Sequence, residues 1–151
     1  MRRVLLVCLG NICRSPMADA LLRHKLKERG IADRYEVDSA GTGGWHAGEA
    51  PDPRTVAELR RRAVQPVGSA RRVEDADFRR FDPILAMDAS NLRDLASRCP
   101  KDQAHRLAMA LEPTGGGDVP DPYYGGDGGF ARVYDMLDAA LDAWIDRWEE
   151  G

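Results

Sequence analysis

The segment from Cys8 to Ser15 follows directly after an apolar run and contains two cysteines, an arginine and a serine. A thiolate is the nucleophilic form of cysteine, and a neighbouring cation or helix N-terminus favours that form. Arginine presents a planar fork of donors that matches two oxygens of a phosphate. The spacing of Cys8 and Arg14 therefore indicates nucleophilic attack on a phosphorus atom that the same loop holds.

The residues between this cysteine and arginine suit an anion-binding loop. Gly10 permits close backbone approach or a positive φ, and Asn11 tolerates the left-handed conformation. A loop that leads from a strand into a helix concentrates free N–H groups, and the helix dipole adds positive potential. We therefore expect the backbone to bind phosphate. The nucleoside-triphosphate type of loop is excluded, because Gly-x4-Gly-Lys-Ser/Thr is absent.

A reaction that expels an oxygen leaving group needs a proton donor, and a positioned carboxyl group contributes about 10²–10⁴-fold. Three Asp-Pro pairs are candidates, and they begin at Asp52, Asp82 and Asp121. Asp52 is expected to cap a helix, and Asp82 to precede a strand. Asp121 lies instead in a Gly-rich loop before two tyrosines, and it is the expected acid. The alternative is a plain turn residue.

The elements that would position these residues alternate between strands and helices. Apolar runs predict strands over 3–8, 34–41, 83–87 and 105–111. Helices are expected from a Ser15 cap with Pro16 at the first position to Gly30, from Pro53, after an Asp88 cap, and over 130–148. This alternation predicts a four-stranded parallel sheet in a three-layer αβα architecture. Cys8 and the loop 112–129 would then meet beyond the carboxyl ends of the strands.

Length and composition narrow the classes of protein further. The 151 residues suit one domain, 1–151, with a sizeable core. The net charge of −3 gives no electrostatic footprint for nucleic acid. No stretch approaches the ~20 apolar residues of a transmembrane helix, and no signal-peptide cleavage site follows the first apolar run. The arginine clusters 60–62, 71–72 and 79–80 are expected on solvated faces.

The three cysteines bear on compartment, metal binding and redox chemistry. Their odd number argues against a disulfide framework, and the low cysteine content fits a reducing, cytoplasmic compartment. Cys8, Cys13 and Cys99 lack a second close pair or a nearby His, so no zinc site is expected. Oxidation of Cys8 to a sulfenate could lead to a Cys8–Cys13 disulfide. The alternative is that Cys13 merely packs the loop.

Several motifs together resemble the low-molecular-weight protein tyrosine phosphatases. The stretch VCLGNICRSPMA matches the signature loop of that family, and SAGT, WHAG, DPR, LAMDASNL and DPYYG follow in its order and spacing. The resemblance covers essentially the whole chain. It implies a flavodoxin-like fold and hydrolysis of phosphotyrosine through a phosphocysteine, without a metal or organic cofactor. The implied substrate is a phosphotyrosine protein and the product is inorganic phosphate, for a monomer that binds neither nucleic acid nor membrane.

The same resemblance implies a role for each residue of the loop. Cys8 would be the nucleophile, Arg14 would bind the phosphoryl oxygens, and Asp121 would act first as acid and then as base. Ser15 would hydrogen-bond the sulfur, and Asn11 would hold the strained backbone. The implied supporting partner is Ser39, and the implied phosphate-binding residues are Leu9, Gly10, Asn11, Ile12, Cys13, Arg14 and Ser15. Many members also place a His in the asparagine network, at the position where this chain has Gly68.

The substrate pocket is predicted from the preference of an aryl ring for apolar and aromatic walls. The predicted walls are Ile12, Trp45, Tyr123 and Tyr124. Members that act on phosphoarginine resemble one another in carrying a threonine at the position of Ile12, so phosphotyrosine is favoured here. Arsenate reductases of this fold use two further cysteines, whereas this chain has only Cys99 outside the loop. A third alternative is an inactive phosphopeptide-binding module, which the retained nucleophile, arginine and acid argue against.

Overall fold

The computed structural model describes residues 1–123 and 128–150. In this part of the chain, four parallel strands form one sheet in the order β2-β1-β3-β4. The strands are β1 (Arg2–Cys8), β2 (Tyr35–Gly41), β3 (Ile84–Ala86) and β4 (Leu107–Met109). The predicted four-stranded parallel sheet is therefore confirmed. Strand β1 pairs with β2 along its whole length, from Arg2 opposite Tyr35 to Cys8 opposite Gly41.

Helices cover both faces of the sheet and produce the predicted three layers. The α-helices are α1 (Arg14–Glu28), α2 (Pro53–Arg61), α3 (Asp77–Arg80), α4 (Ala89–Arg98) and α5 (Gly129–Glu150). On one face, α1, α2 and α5 pack against one another, whereas α4 packs against β3 and β4 on the other. Three short 3₁₀ segments lie in the connections between these elements, namely Ala32–Arg34, Lys101–Arg106 and Glu112–Thr114.

Strand β1 has two buried faces because it lies in the middle of this sandwich. Val4 and Leu6 belong to the core beneath α1 and α5, whereas Leu5 and Val7 belong to the core on the side of α4. Successive side chains of a strand point to opposite faces, so a strand covered on both sides has an unbroken apolar sequence. The apolar run before Cys8 is thus the sequence signature of a central strand.

Two predicted helix caps are confirmed. Asp52 caps α2 by accepting a hydrogen bond from the backbone N–H of Arg54 at 2.8 Å, with Pro53 at the first helical position. Asp88 caps α4 in a reciprocal box with Asn91, with bonds of 2.7 and 3.2 Å. Such caps satisfy N–H groups that have no partner inside the helix.

Three predictions need correction. Ser15 does not cap α1, because the helix already begins at Arg14 and Cys13 occupies the cap position without a side-chain bond. The fourth strand is shorter than 105–111, because a 3₁₀ segment runs to Arg106 and β3 offers three residues for pairing. Arg71 is not simply solvated, since it pairs with the buried Asp77 at 2.9 Å.

No helix among the described residues is long and apolar enough to cross a membrane.

Candidate active site

The chain between β1 and α1 wraps around a small volume at the carboxyl end of the sheet. The backbone carbonyls of Cys8, Leu9 and Ile12 accept hydrogen bonds from the amides of Thr42, Gly43 and Asp52 at 2.8–2.9 Å. These bonds turn the carbonyls outward, which leaves the inside of the loop to N–H groups at the N-terminus of α1. The segment has the construction of an anion-binding loop.

Strand β2 can approach this loop closely because it ends in a glycine. A Cβ atom at Gly41 would lie 2.7 Å from the carbonyl oxygen of Leu9 and 3.2 Å from the amide nitrogen of Asn11. Both neighbours are backbone atoms, so a side chain here would push the loop away from the sheet. The glycine of the SAGT motif is therefore explained by packing against the loop.

Ser15 points back from the first turn of α1 to the sulfur of Cys8. Its Oγ lies 3.0 Å from Cys8 Sγ and accepts a hydrogen bond of 2.7 Å from the side-chain amide of Asn11. Because the serine oxygen already accepts from Asn11, its own hydrogen is available to the sulfur. All three residues are buried. A serine in this position stabilises a thiolate more than a thiol, since a hydrogen bond to an ionised acceptor is the stronger one.

Asn11 adopts the left-handed backbone conformation, with φ of 57°, and three hydrogen bonds hold its side chain. The amide nitrogen donates to Ser15 and, at 3.0 Å, to Ser39 Oγ, whereas Oδ1 accepts from the backbone N–H of Arg71 at 3.0 Å. Gly68, which has no side chain to contribute to this network, is exposed. A backbone amide thus completes the asparagine network in a chain that lacks the expected histidine.

Arg14 is buried, with 3% of its side chain exposed, and a carboxylate orients it. Its Nη1 donates to Asp88 Oδ2 at 2.6 Å and to the carbonyl oxygen of Val119 at 3.0 Å. Burial lowers the pKa of Arg14, but the hydrogen bond to Asp88 and the neighbouring anionic groups outweigh it and raise the pKa. The guanidinium therefore stays charged and has a fixed direction.

Asp121 lies at the mouth of the loop, where 38% of its side chain is exposed. One carboxylate oxygen accepts a hydrogen bond from the backbone N–H of Tyr123 at 3.0 Å. The other lies 3.7 Å from Arg14 Nη2. The carboxylate thus faces the same space as the guanidinium while remaining in contact with water.

A cleft of about 310 Å³ joins these groups. From the predicted site, the structure brings together Cys8, Leu9, Gly10, Ile12, Cys13, Arg14, Trp45, Asp121 and Tyr123 as lining residues. Asn11, Ser15 and Ser39 lie behind the loop rather than in its wall. Tyr124, also predicted for the pocket, lies outside the described residues.

Comparison with known proteins agrees with this geometry. The family model "Low molecular weight phosphotyrosine protein phosphatase" matches residues 3–150. The low molecular weight protein-tyrosine-phosphatase of Streptomyces coelicolor is 46% identical over 144 residues, which span 91% of this chain and 88% of that protein. The chain belongs to the low molecular weight protein tyrosine phosphatase family. It is therefore an enzyme of this class, whose members share a phosphocysteine mechanism.

Two similar solved structures are phosphatases whose names give different substrates. A protein tyrosine phosphatase from Entamoeba histolytica superposes with a TM-score of 0.96 at 38% identity, covering 100% of this chain and 99% of its own. An arginine phosphatase from Drosophila superposes with a TM-score of 0.90 at 32% identity, covering 98% of each chain. The fold, which is flavodoxin-like, is thus common to phosphatases with different named substrates, and the pocket has to distinguish them.

Arg54 links helix α2 of the phosphatase to the segment that carries Asp121. Its guanidinium contacts both oxygens of Asp52 at 2.9–3.0 Å and donates to the carbonyl oxygen of Tyr123 at 3.0 Å. It also lies over the rings of Tyr123 and Phe130, 5.1 and 4.9 Å from their centroids. The paired Arg54 lowers the pKa of Asp52, mainly through the side-chain hydrogen bond. Charge and stacking together hold the segment that carries Asp121 beside the cleft.

The environment of Cys13, the second cysteine of the loop, disfavours its thiolate. Burial, followed by the nearby carboxylate of Asp52, raises the pKa of the Cys13 thiol to about 12. Cys13 is therefore protonated at neutral pH and lacks the nucleophilic form. Among the described residues, no group of three His, Cys, Asp or Glu side chains is placed to hold a metal ion.

Sequence reasoning missed three residues of the phosphatase site. Asp88 was expected only as a helix cap, although its position two residues after β3 places it at the edge of the sheet where ligands bind. Arg54 is adjacent to a predicted cap, but its contacts with the acid segment span 69 positions. His46 also lines the cleft, and Glu49 holds its Nδ1 at 2.8 Å. No local pattern indicates the contact between Arg54 and Tyr123, whereas the partner of His46 is only three residues away.

Proposed function

We propose that the enzyme hydrolyses phosphotyrosine in two displacements, with Cys8 as nucleophile, Arg14 as phosphate ligand and Asp121 as general acid and base. The observation that carries the proposal is the convergence of these three side chains on one cleft. A thiolate, a fixed cation and a solvent-accessible carboxylate supply the nucleophile, the charge stabilisation and the proton transfer that phosphoryl transfer requires.

In the first displacement, the phosphoryl oxygens bind to the loop amides and to Arg14. The Cys8 sulfur forms a bond to phosphorus as the bond from phosphorus to the tyrosyl oxygen breaks. Asp121 transfers its proton to that oxygen, so tyrosine leaves as the neutral phenol. Two parallel N–H groups of Arg14 donate to the negatively charged equatorial oxygens of the phosphoryl group. They point at the phosphate because Asp88 binds Nη1 on the other side of the guanidinium.

In the second displacement, the Asp121 carboxylate accepts a proton from a water molecule that attacks the phosphocysteine. The bond from phosphorus to sulfur breaks, and inorganic phosphate is released. The sulfur leaves as a thiolate, and the Ser15 hydroxyl donates to it across 3.0 Å. One carboxyl group thus serves both steps, and the enzyme returns to its starting protonation state.

The pocket walls support an aromatic phosphate ester as the substrate. Ile12 offers an apolar side chain, and Trp45 and Tyr123 present aromatic surface at the mouth. An aryl ring buries its faces against such walls. A phosphoserine would be too short to reach them while its phosphate occupied the loop. The substrate is therefore a phosphotyrosine-containing protein or peptide, and no metal or cofactor takes part.

Protein-arginine phosphatase activity is the second candidate, because a Drosophila arginine phosphatase has the same fold. Ile12 argues against it. The guanidinium of phosphoarginine carries N–H donors, and Ile12 provides no acceptor for them. A buried donor without a partner costs about 1–3 kcal/mol.

The proposal includes a monomer that acts in the cytoplasm as a single domain, 1–151. Four large hydrophobic side chains are exposed in the described part of the chain, namely Met1, Leu9, Trp45 and Tyr123. The last three surround the cleft, where substrate would cover them, and Met1 alone is too small a patch for a subunit interface. Light scattering of the purified protein tests the oligomeric state.

The decisive experiment measures hydrolysis of p-nitrophenyl phosphate with and without EDTA, followed by kcat/KM for matched phosphotyrosine, phosphoserine and phosphoarginine peptides. We expect EDTA-resistant turnover and a preference for phosphotyrosine. Loss of activity in EDTA would contradict the metal-free mechanism. A preference for phosphoarginine would show that the pocket has been misinterpreted and would favour the second candidate.

A further inference from the structure

Trp45 combines a largely exposed side chain with close packing of its ring. Its side chain is 71% exposed, yet its ring lies directly against the backbone of Gly43, two residues earlier. A Cβ atom built on Gly43 would overlap Cε3, Cζ3 and Cη2 of the indole, all of them closer than a real Cβ atom approaches another heavy atom. The ring occupies the volume that any side chain at position 43 would need.

The backbone around Gly43 does not itself require glycine. The φ of Gly43 lies outside the left-handed region. Its N–H donates to the carbonyl oxygen of Leu9 at 2.9 Å, a bond that alanine would keep. The three heavy atoms nearest to such a Cβ atom all belong to the indole, so the closest conflict with a side chain is with Trp45. Because the indole is exposed, it would swing away at little cost in folding free energy.

We propose that Gly43 is a positioning residue for substrate specificity, which seats the Trp45 indole as a preformed aromatic wall of the cleft. This inference rests on the proposed hydrolysis of phosphotyrosine and deepens it. The seat fixes the indole beside Ile12 and Tyr123 before substrate arrives, so binding does not have to order it. The neighbouring His46 is packed in a similar way, since a Cβ atom on Gly10 would lie 3.0 Å from its Cδ2.

The adjacent glycine provides a matched control. Gly44 also lies outside the left-handed region, and a Cβ atom there would make only an ordinary contact of 3.4 Å with Cδ of Arg72. Gly43→Ala and Gly44→Ala therefore add the same methyl group to the same loop. The first displaces the indole, and the second leaves it in place.

The experiment compares wild type, Gly43→Ala, Gly44→Ala, Trp45→Ala and the double variant Gly43→Ala/Trp45→Ala on one phosphotyrosine peptide. For Gly43→Ala we expect KM to rise about 3- to 10-fold with kcat within about 2-fold, the range that loss of an aromatic contact produces. The inhibition constant of inorganic phosphate and the melting temperature should not change. Gly44→Ala should match wild type. Gly43→Ala should add nothing to Trp45→Ala, because both remove the same wall.

An unchanged KM in Gly43→Ala would overturn the proposal. So would an equal rise in KM and in the phosphate inhibition constant, which would indicate distortion of the anion loop. Additive effects in the double variant would also overturn it.

A measurement independent of turnover separates this inference from the proposed function. In NMR spectra, ring current from Trp45 should shift the Gly43 Hα resonances upfield, and Trp45→Ala should abolish that shift. Absence of the shift would overturn the seating even in a fully active enzyme, and its presence in a protein without phosphotyrosine activity would leave the seating intact while refuting the proposed function.

Discussion

The anion loop and the rim of the cleft are held by different means. Behind the loop, a buried chain of hydrogen bonds connects Cys8, Ser15, Asn11 and Ser39, and each side chain in it has a partner. At the rim, Asp121 and Trp45 are exposed and make only a few contacts with their neighbours. The loop is therefore built for one conformation, whereas the rim is built for access by water and by substrate. Removing a buried polar partner costs more than removing an exposed one, so the two regions should respond to mutation on different scales.

The largest effect is expected at the centre of the loop. Cys8→Ser should lower kcat by about 10⁴-fold or more, because a serine hydroxyl is not ionised near neutral pH and nucleophile removal has effects of this size. The fold should remain intact, which circular dichroism and thermal melting can check. Steady-state turnover near the wild-type level in the pure variant would show that Cys8 is not the nucleophile.

At the rim, Asp121→Asn tests the acid with little change in shape. We expect kcat for phosphotyrosine to fall about 10²–10⁴-fold, because the amide cannot supply a proton. Esters with better leaving groups should lose less, since their oxygen leaves without protonation. A leaving-group series measures this dependence. Equal losses across the series would mean that another group is the acid.

Asn11→Gly separates the hydrogen-bond network from the strained backbone. Glycine accepts the positive φ at this position, so the expected loss comes from the three missing bonds. The free energy of unfolding should fall by about 2–4 kcal/mol, since buried partners are left unsatisfied. Ser39→Ala, which removes one of these bonds, should cost about 1 kcal/mol. Chemical denaturation measures both, and equal costs would contradict a shared network.

Arg54→Ala should have a smaller effect, confined to the rim. Loss of its bond to the Tyr123 carbonyl and of its stacking contacts should lower kcat/KM about 3- to 10-fold, a change equivalent to one contact of this type. The melting temperature should change little, because Arg54 is exposed. Arg60→Ala, on the same helix and also exposed, is the control and should match wild type. An effect of equal size at Arg60 would point to general surface charge.

The smallest effect on hydrolysis is expected at Cys13, where Cys13→Ser should change kcat less than about 2-fold because the residue contributes packing. If Cys8 is oxidised to a sulfenate, we expect Cys13 to attack that sulfur and release water, which would leave a Cys8–Cys13 disulfide. The reacting form is the Cys13 thiolate, and the raised pKa of about 12 makes it scarce at pH 7. Disulfide yield should therefore rise with pH between 6 and 9, which peptide mapping after peroxide treatment measures. Direct conversion of Cys8 to sulfinate without a linked peptide would contradict this step.

Local features explain why much of the site is visible in the sequence. The strand, the anion loop and the start of α1 occupy consecutive residues, so strand periodicity, glycine and the Cys8–Arg14 spacing all refer to one continuous structure. The caps at Asp52 and Asp88 are equally local, because a cap and its helix are neighbours in sequence. The misplaced Ser15 shows the limit of such rules. Serine is a common cap, but its hydroxyl here contacts a sulfur from the preceding strand.

The sequence by itself therefore determined the fold class, and it predicted Cys8 as nucleophile, Arg14 as phosphate ligand and Asp121 as acid. Only the tertiary structure decided which groups hold them in place. The amide of Arg71 supports Asn11 across 60 positions, Asp88 orients Arg14 across 74, and Arg54 binds the segment of Asp121 across 69. Even the seat of Trp45 on Gly43, which is close in sequence, depends on how the loop is folded onto β1. Periodicity and propensity describe the conformation of short segments, whereas these contacts depend on where separate segments meet in three dimensions.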